Sequence, residues 1–109
     1  MPFISRTYSK TMNALSQSEA NGLARDGDSL IIVGPSRSPD FLVFACPDGC
    51  GEIVRINLKR QRGKAWRLYQ DANKLTISPS VALSAGCRTH FVLRSNIAIR
   101  AFFPWNEKP

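Results

Sequence analysis

Acidic residues and soft metal ligands are both scarce in this sequence. The 109 residues include three cysteines and one histidine, and eight Asp and Glu stand against fifteen Lys and Arg. A single histidine rules out the H-E-x-x-H helix of zinc proteases, and the histidine-then-glutamate signature of zinc deaminases is missing too. The odd cysteine count leaves no closed disulfide framework. The opening Met1-Pro-Phe-Ile-Ser-Arg6 lacks the apolar stretch of a signal peptide. No apolar run approaches the length of a membrane span. There are no internal repeats and no low-complexity tract. These absences lead to an expectation of a cytoplasmic chain with no membrane partner, where cysteines more often bind metal than each other.

The length fits one domain over residues 1–109, and the 43% hydrophobic fraction is ordinary for a globular fold. The shortage of acids leaves a net charge of +7 and a pI near 9.9. That balance makes an acidic partner plausible: nucleic acid, an acidic protein face or anionic lipid.

All the cysteines and the histidine fall in two segments, Cys46-Pro-Asp-Gly-Cys50-Gly51 and Cys87-Arg-Thr-His90. Structural Zn²⁺ sites commonly take two ligands from each of two short turns. Gly49 and Gly51 tolerate the positive φ that lets a backbone wrap a metal. The expected centre is a closed Cys3His site of Cys46, Cys50, Cys87 and His90 holding Zn²⁺. The alternative is three buried cysteines and a satisfied histidine.

The expected fold is mainly β, an α+β chain with one short helix and small antiparallel sheets organised by a zinc-knuckle-like site. Residues 1–15 lack clear periodicity and read as a mobile or edge-paired arm. Ser16-Gln-Ser-Glu19 has capping-box spacing, which predicts a helix over about residues 17–25 that Gly22 weakens. Strands are predicted over 29–33, 41–45 and 52–57, with the cysteine turn between the last two. Strands over 65–69 and 75–77 flank a turn at 71–74. Ser78-Pro-Ser80 reads as a further turn and 81–86 as a loop. A closing hairpin pairs 91–94 with 97–102, and 103–109 form a tail. Phe102, Phe103 and Trp105 are expected to dock on the body or on another protein.

Arg55, Lys59, Arg60, Arg62, Lys64 and Arg67 form a basic run, with no acid between Glu52 and Asp71. It reads either as a solvated loop or as an anion-binding and partner-binding surface. Trp66 and Tyr69 in it could stack on bases or anchor the core.

Cys46-Pro-Asp-Gly-Cys50-Gly51-Glu52, Ser78-Pro-Ser80 and Cys87-Arg-Thr-His90-Phe91 resemble a small bacterial zinc-binding family. The resemblance covers roughly residues 28–102. Its members tend to occur beside ubiquitin-like proteins and relatives of ubiquitin-activating and ubiquitin-conjugating enzymes, in antiphage defence loci. It implies Cys46, Cys50, Cys87 and His90 as ligands, and a protein partner such as a ubiquitin-like protein or its conjugating enzyme.

Three functions are open at this point. The first is a non-catalytic zinc domain that binds a partner of such a pathway, since four protein ligands leave no position for an activated water. The second is a zinc-dependent peptidase acting on ubiquitin-like conjugates, with Glu52 as base and Ser78 or Ser80 as polar partners. The third is a basic zinc ribbon that binds nucleic acid. The first carries the expectation of no hydrolysis, because it commits the only histidine to the metal and leaves no nucleophile–base pair.

Overall fold

The computed structural model describes residues 5–83 and 88–101. Strands β1 (Ser5–Thr7), β2 (Lys10–Ala14), β3 (Ser29–Val33), β4 (Phe41–Ala45) and β5 (Ile53–Asn57) come first, with helix α1 (Gln17–Ala24) between β2 and β3. A single 3₁₀ turn at Arg60–Arg62 leads to β6 (Arg67–Asp71), β7 (Lys74–Ala82), β8 (His90–Arg94) and β9 (Ile97–Arg100).

The strands form two sheets, a five-stranded one ordered β1-β9-β8-β7-β6 and a four-stranded one ordered β2-β3-β4-β5. All pairings are antiparallel except β2 with β3. A parallel pair needs a crossover, and α1 supplies it.

The unbroken apolar run at β3 is explained by its two covered faces. Leu30 and Ile32 join Leu42, Phe44, Ile77, Phe91 and Leu93 in the core between the sheets. Ile31 and Val33, pointing the other way, pack with Ala20 and Ala24 of α1. A strand buried on both faces loses the usual polar alternation. The result is three layers: helix, small sheet, large sheet. Phe44 sits at the centre, with edge-on ring contacts to Tyr8 at 5.5 Å and Phe91 at 6.1 Å.

The capping box forms much as its spacing predicts. Ser16 Oγ accepts from the Glu19 N–H at 3.2 Å, and Glu19 Oε1 accepts from the Leu15 N–H at 3.0 Å. Gly22 lies in the helix with nothing within 4 Å of where a Cβ would stand. Gly22→Ala should therefore stabilise the fold by about 0.5–1 kcal/mol, because alanine loses less backbone entropy. A rise of a few degrees in a thermal melt is the expected result.

The N-terminal arm is paired at both edges, β1 on β9 and β2 on β3. The crossing between the sheets at Tyr8 is fixed by Asn96. Asn96 is buried, and its side chain accepts from the Leu75 N–H at 2.6 Å and donates to the Tyr8 carbonyl at 3.1 Å. Its φ of 67° is one asparagine tolerates and most residues avoid. Asn96→Ala would orphan two buried main-chain groups and should cost about 2–4 kcal/mol. That outweighs an exposed ion pair such as Lys10–Asp26 (3.6 Å), worth at most about 1 kcal/mol. A melt of the variant checks it, with a fall of about 10 °C or more expected.

Two predicted boundaries need correction. Ser78-Pro-Ser80 is not a turn that ends a strand, and Val81 and Ala82 are not loop. All five residues lie inside β7, which runs nine residues through a cis Ser78–Pro79 bond. Proline suggested a turn, but this strand carries it at an irregularity, where a ladder donor is dispensable. The tail at 103–109, with Phe102, lies outside the described residues.

Candidate active site

The irregularity in β7 creates the site. Ile77 pairs with Leu93 and Val81 with Phe91, so four steps on β7 match two on β8. The surplus falls on Ser78, Pro79 and Ser80. Bulges of this kind re-aim side chains and recur beside active sites. Past it the register is regular, and Ala82 stands opposite His90. Side chains two apart on a strand share a face, so Ser80 is a diagonal neighbour of His90. Their side chains meet: Ser80 Oγ lies 2.8 Å from His90 Nε2. Both residues are half-buried.

Three further bonds hold this corner. The Trp66 indole N–H donates to the Ser80 carbonyl at 3.2 Å, fixing the serine backbone from the neighbouring segment. The Leu83 N–H donates to the Thr89 carbonyl at 3.0 Å, and the Ala101 N–H donates to the His90 carbonyl at 2.8 Å. Thr89 is buried and its hydroxyl accepts from Arg100 at 3.4 Å. The histidine is thus anchored on both sides of its strand.

The candidates from the sequence separate here. Ser78 is exposed and pairs with Arg67 on β6, whereas Ser80 reaches the histidine. Glu52 is exposed and contributes its carbonyl, which accepts from the Cys46 N–H at 2.8 Å. Among the described residues its carboxylate makes no hydrogen bond or ion pair. The expectation that the chain offers no nucleophile–base pair is corrected by the Ser80–His90 contact. The signal available beforehand was the apolar Val81-Ala-Leu83 opposite Phe91. Extending the strand through it sets Ser80 across from His90.

The cysteine turn joins β4 to β5, strand–turn–strand as expected. The Gly49 N–H donates to the Cys46 carbonyl at 3.1 Å, and Gly49 and Gly51 take φ of 79° and 92°. Cys46 is buried and Cys50 exposed. The arm holds the start of this turn. Tyr8 Oη donates to the Ala45 carbonyl at 2.6 Å, and Arg6 donates to the Gly27 carbonyl at 2.5 Å and reaches the Cys46 and Pro47 carbonyls. Burial pushes the Tyr8 phenol well above its ordinary value, which Arg6 only partly opposes, so it stays a donor. Cys87 lies outside the described residues. Among the described residues no three His, Cys, Asp or Glu side chains cluster as a metal site.

The basic run is less free than its sequence suggests. Asp40, distant in sequence, faces it, with Arg62 at 3.4 Å and Lys59 at 3.8 Å. Arg55 and Arg62 lie over the Phe41 ring at 4.8 and 4.9 Å, and Lys64 lies over Trp66 at 5.3 Å. Trp66 is half-buried against the main core, as an anchor rather than an exposed stacking platform. Arg60 and Arg67 are exposed. No helix among the described residues is long and apolar enough to cross a membrane.

Residues 17–100 match the model of the BubE family, described as a bacterial ubiquitination-like system serine protease. No curated protein and no solved structure matches the chain.

Proposed function

The chain belongs to the BubE family of a bacterial ubiquitination-like system, and we propose that it is a serine peptidase acting on the ubiquitin-like protein or its conjugates. Ser80 is the nucleophile and His90 the general base. The observation that carries this reading is the 2.8 Å contact between Ser80 Oγ and His90 Nε2, within the range a nucleophile–base pair needs.

In the first half-reaction Ser80 Oγ bonds to the scissile carbonyl carbon while its proton passes to His90 Nε2. The tetrahedral adduct then expels the amine, which takes that proton from His90, and an acyl-enzyme remains. Water repeats the sequence: His90 takes its proton, the hydroxide adds to the acyl carbon, and Ser80 leaves with the proton restored. Trp66 keeps the Ser80 main chain in place throughout, through the indole bond to its carbonyl.

This reading gives His90 a role different from the one its spacing suggested. An imidazole bound to Zn²⁺ through one nitrogen keeps its proton on the other. It would then donate to Ser80 Oγ and could not accept from it. The proposal therefore assigns His90 to Ser80, and leaves Zn²⁺, if Cys46, Cys50 and Cys87 hold it, a structural role away from the reaction. The test is cleavage of a ubiquitin-like protein bearing a C-terminal extension. Hydrolysis that persists in chelator and stops with a serine-directed fluorophosphonate supports the proposal. Hydrolysis lost in chelator and restored by zinc overturns it.

A further inference from the structure

Beside the site runs an open groove of about 1160 Å³, too large for an ordinary small-molecule pocket. Its walls include two sheet edges, β2 of the small sheet and β6 of the large one. The Thr11 hydroxyl, donating to the Asn73 carbonyl at 3.2 Å, links those walls near the β6–β7 turn. Ser78 and Pro79 line the groove as well, which brings it to the residues just before Ser80.

The hairpin geometry says which groups of β6 face outward. Ala72 and Asn73 take φ of 50° and 69°, the two positive values of a two-residue hairpin turn. Asp71 and Lys74 flank that turn and pair directly, so they exchange main-chain bonds. Bonding alternates along an antiparallel pair, so Tyr69 and Arg67 also bond to β7, while Leu68 and Gln70 point their N–H and C=O the other way. Trp66 is next in the alternation, and its N–H does point off the sheet, to the Asn57 carbonyl at 2.9 Å. For Leu68 and Gln70 no such partner occurs among the described residues. Both line the groove.

The charged side chains lining the groove are Arg37, Arg60 and Arg67, with no Asp or Glu among the lining residues. We propose that this groove holds an extended, acidic segment of the protein substrate, added as a strand to the open edge of β6 and leading its scissile bond to Ser80. The inference rests on the peptidase reading for the place of Ser80, but the groove's own chemistry is independent of it. Unpaired main-chain donors and acceptors match a peptide backbone, which nucleic acid lacks, and the arginines select its charge.

Binding is best read with Ser80→Ala protein, so that catalysis cannot intervene. The probes are short fluorescein-labelled peptides alternating glutamate with valine, the same peptide N-methylated at alternate residues, and one alternating lysine with valine. The acidic peptide should bind about tenfold or more tighter than either of the others, with affinity falling as salt rises. Gln70→Pro removes one outward N–H without touching the β7 ladder, a placement edge strands tolerate. It should weaken the acidic peptide while leaving the melting temperature unchanged, and Arg67→Glu should do the same. In the active protein both variants should raise KM for the extended ubiquitin-like substrate and leave hydrolysis of p-nitrophenyl acetate as it was. Equal binding of acidic, lysine and N-methylated peptides would overturn the groove assignment, as would a single-stranded oligonucleotide that displaces the acidic peptide and binds more tightly. Loss of peptide selectivity with ester hydrolysis intact condemns the groove alone. Ester hydrolysis that survives in Ser80→Ala condemns the catalytic reading alone.

Discussion

Ser80→Ala should reduce cleavage of an extended ubiquitin-like protein by about 10³-fold or more, the range seen when a nucleophile is removed from a pair that acts as a unit. The fold should hardly change. Ser80 is half-buried, and its hydroxyl bonds to another half-buried side chain rather than to an interior main-chain group. The Trp66 bond goes to the Ser80 carbonyl and survives the substitution. Ser78→Ala is the internal control. Ser78 sits two residues away and is exposed, so its loss should change turnover by less than about tenfold. If the two variants behave alike, the nucleophile has been misassigned.

His90→Gln should lose activity on the same scale, because glutamine can hydrogen-bond Ser80 but cannot take its proton. The variant separates two roles that one histidine cannot fill together. As a general base, His90 can be lost with the melting temperature and metal content kept. As the fourth ligand of a closed Zn²⁺ site, its loss should release metal and destabilise the chain severely, since such sites contribute roughly 10–16 kcal/mol of apparent binding free energy in small zinc domains. Measuring turnover, bound zinc by atomic emission and thermal stability on one sample decides between them. An inactive, stable protein of unchanged metal content is the expected outcome.

Local chemistry made much of this fold legible. Ser16 and Glu19 announced the helix start, and the observed Gln17–Ala24 falls within the span their spacing predicts. The β-branched runs marked β3, β4 and β5, and the tight turn at Ala72-Asn73 marked the β6–β7 hairpin. Tertiary pairing was not visible in the same way. Residues 5–14 show no period because β1 and β2 belong to different sheets, with Tyr8 buried between them. The basic run looked unopposed because Asp40 reaches it only through the fold.

The site was half legible for a related reason. His90 and Ser80 were both candidates, yet in separate roles, since a serine–proline–serine stretch reads as a turn. The register of β7 on β8 brings the two together, and register depends on the partner strand rather than on local preference. The cysteine spacing, by contrast, drew the histidine toward a metal. Family membership in a ubiquitination-like system agrees with the partner class that the resemblance implied.

The central claim is that Ser80 is a nucleophile activated by His90. Its most direct test is to incubate the protein with a fluorophosphonate and map the adduct by peptide mass spectrometry. The account predicts a single stoichiometric adduct on Ser80, formed in Ser78→Ala and absent in His90→Gln. An unlabelled Ser80 in protein that cleaves its substrate, or equal labelling with and without His90, would contradict it.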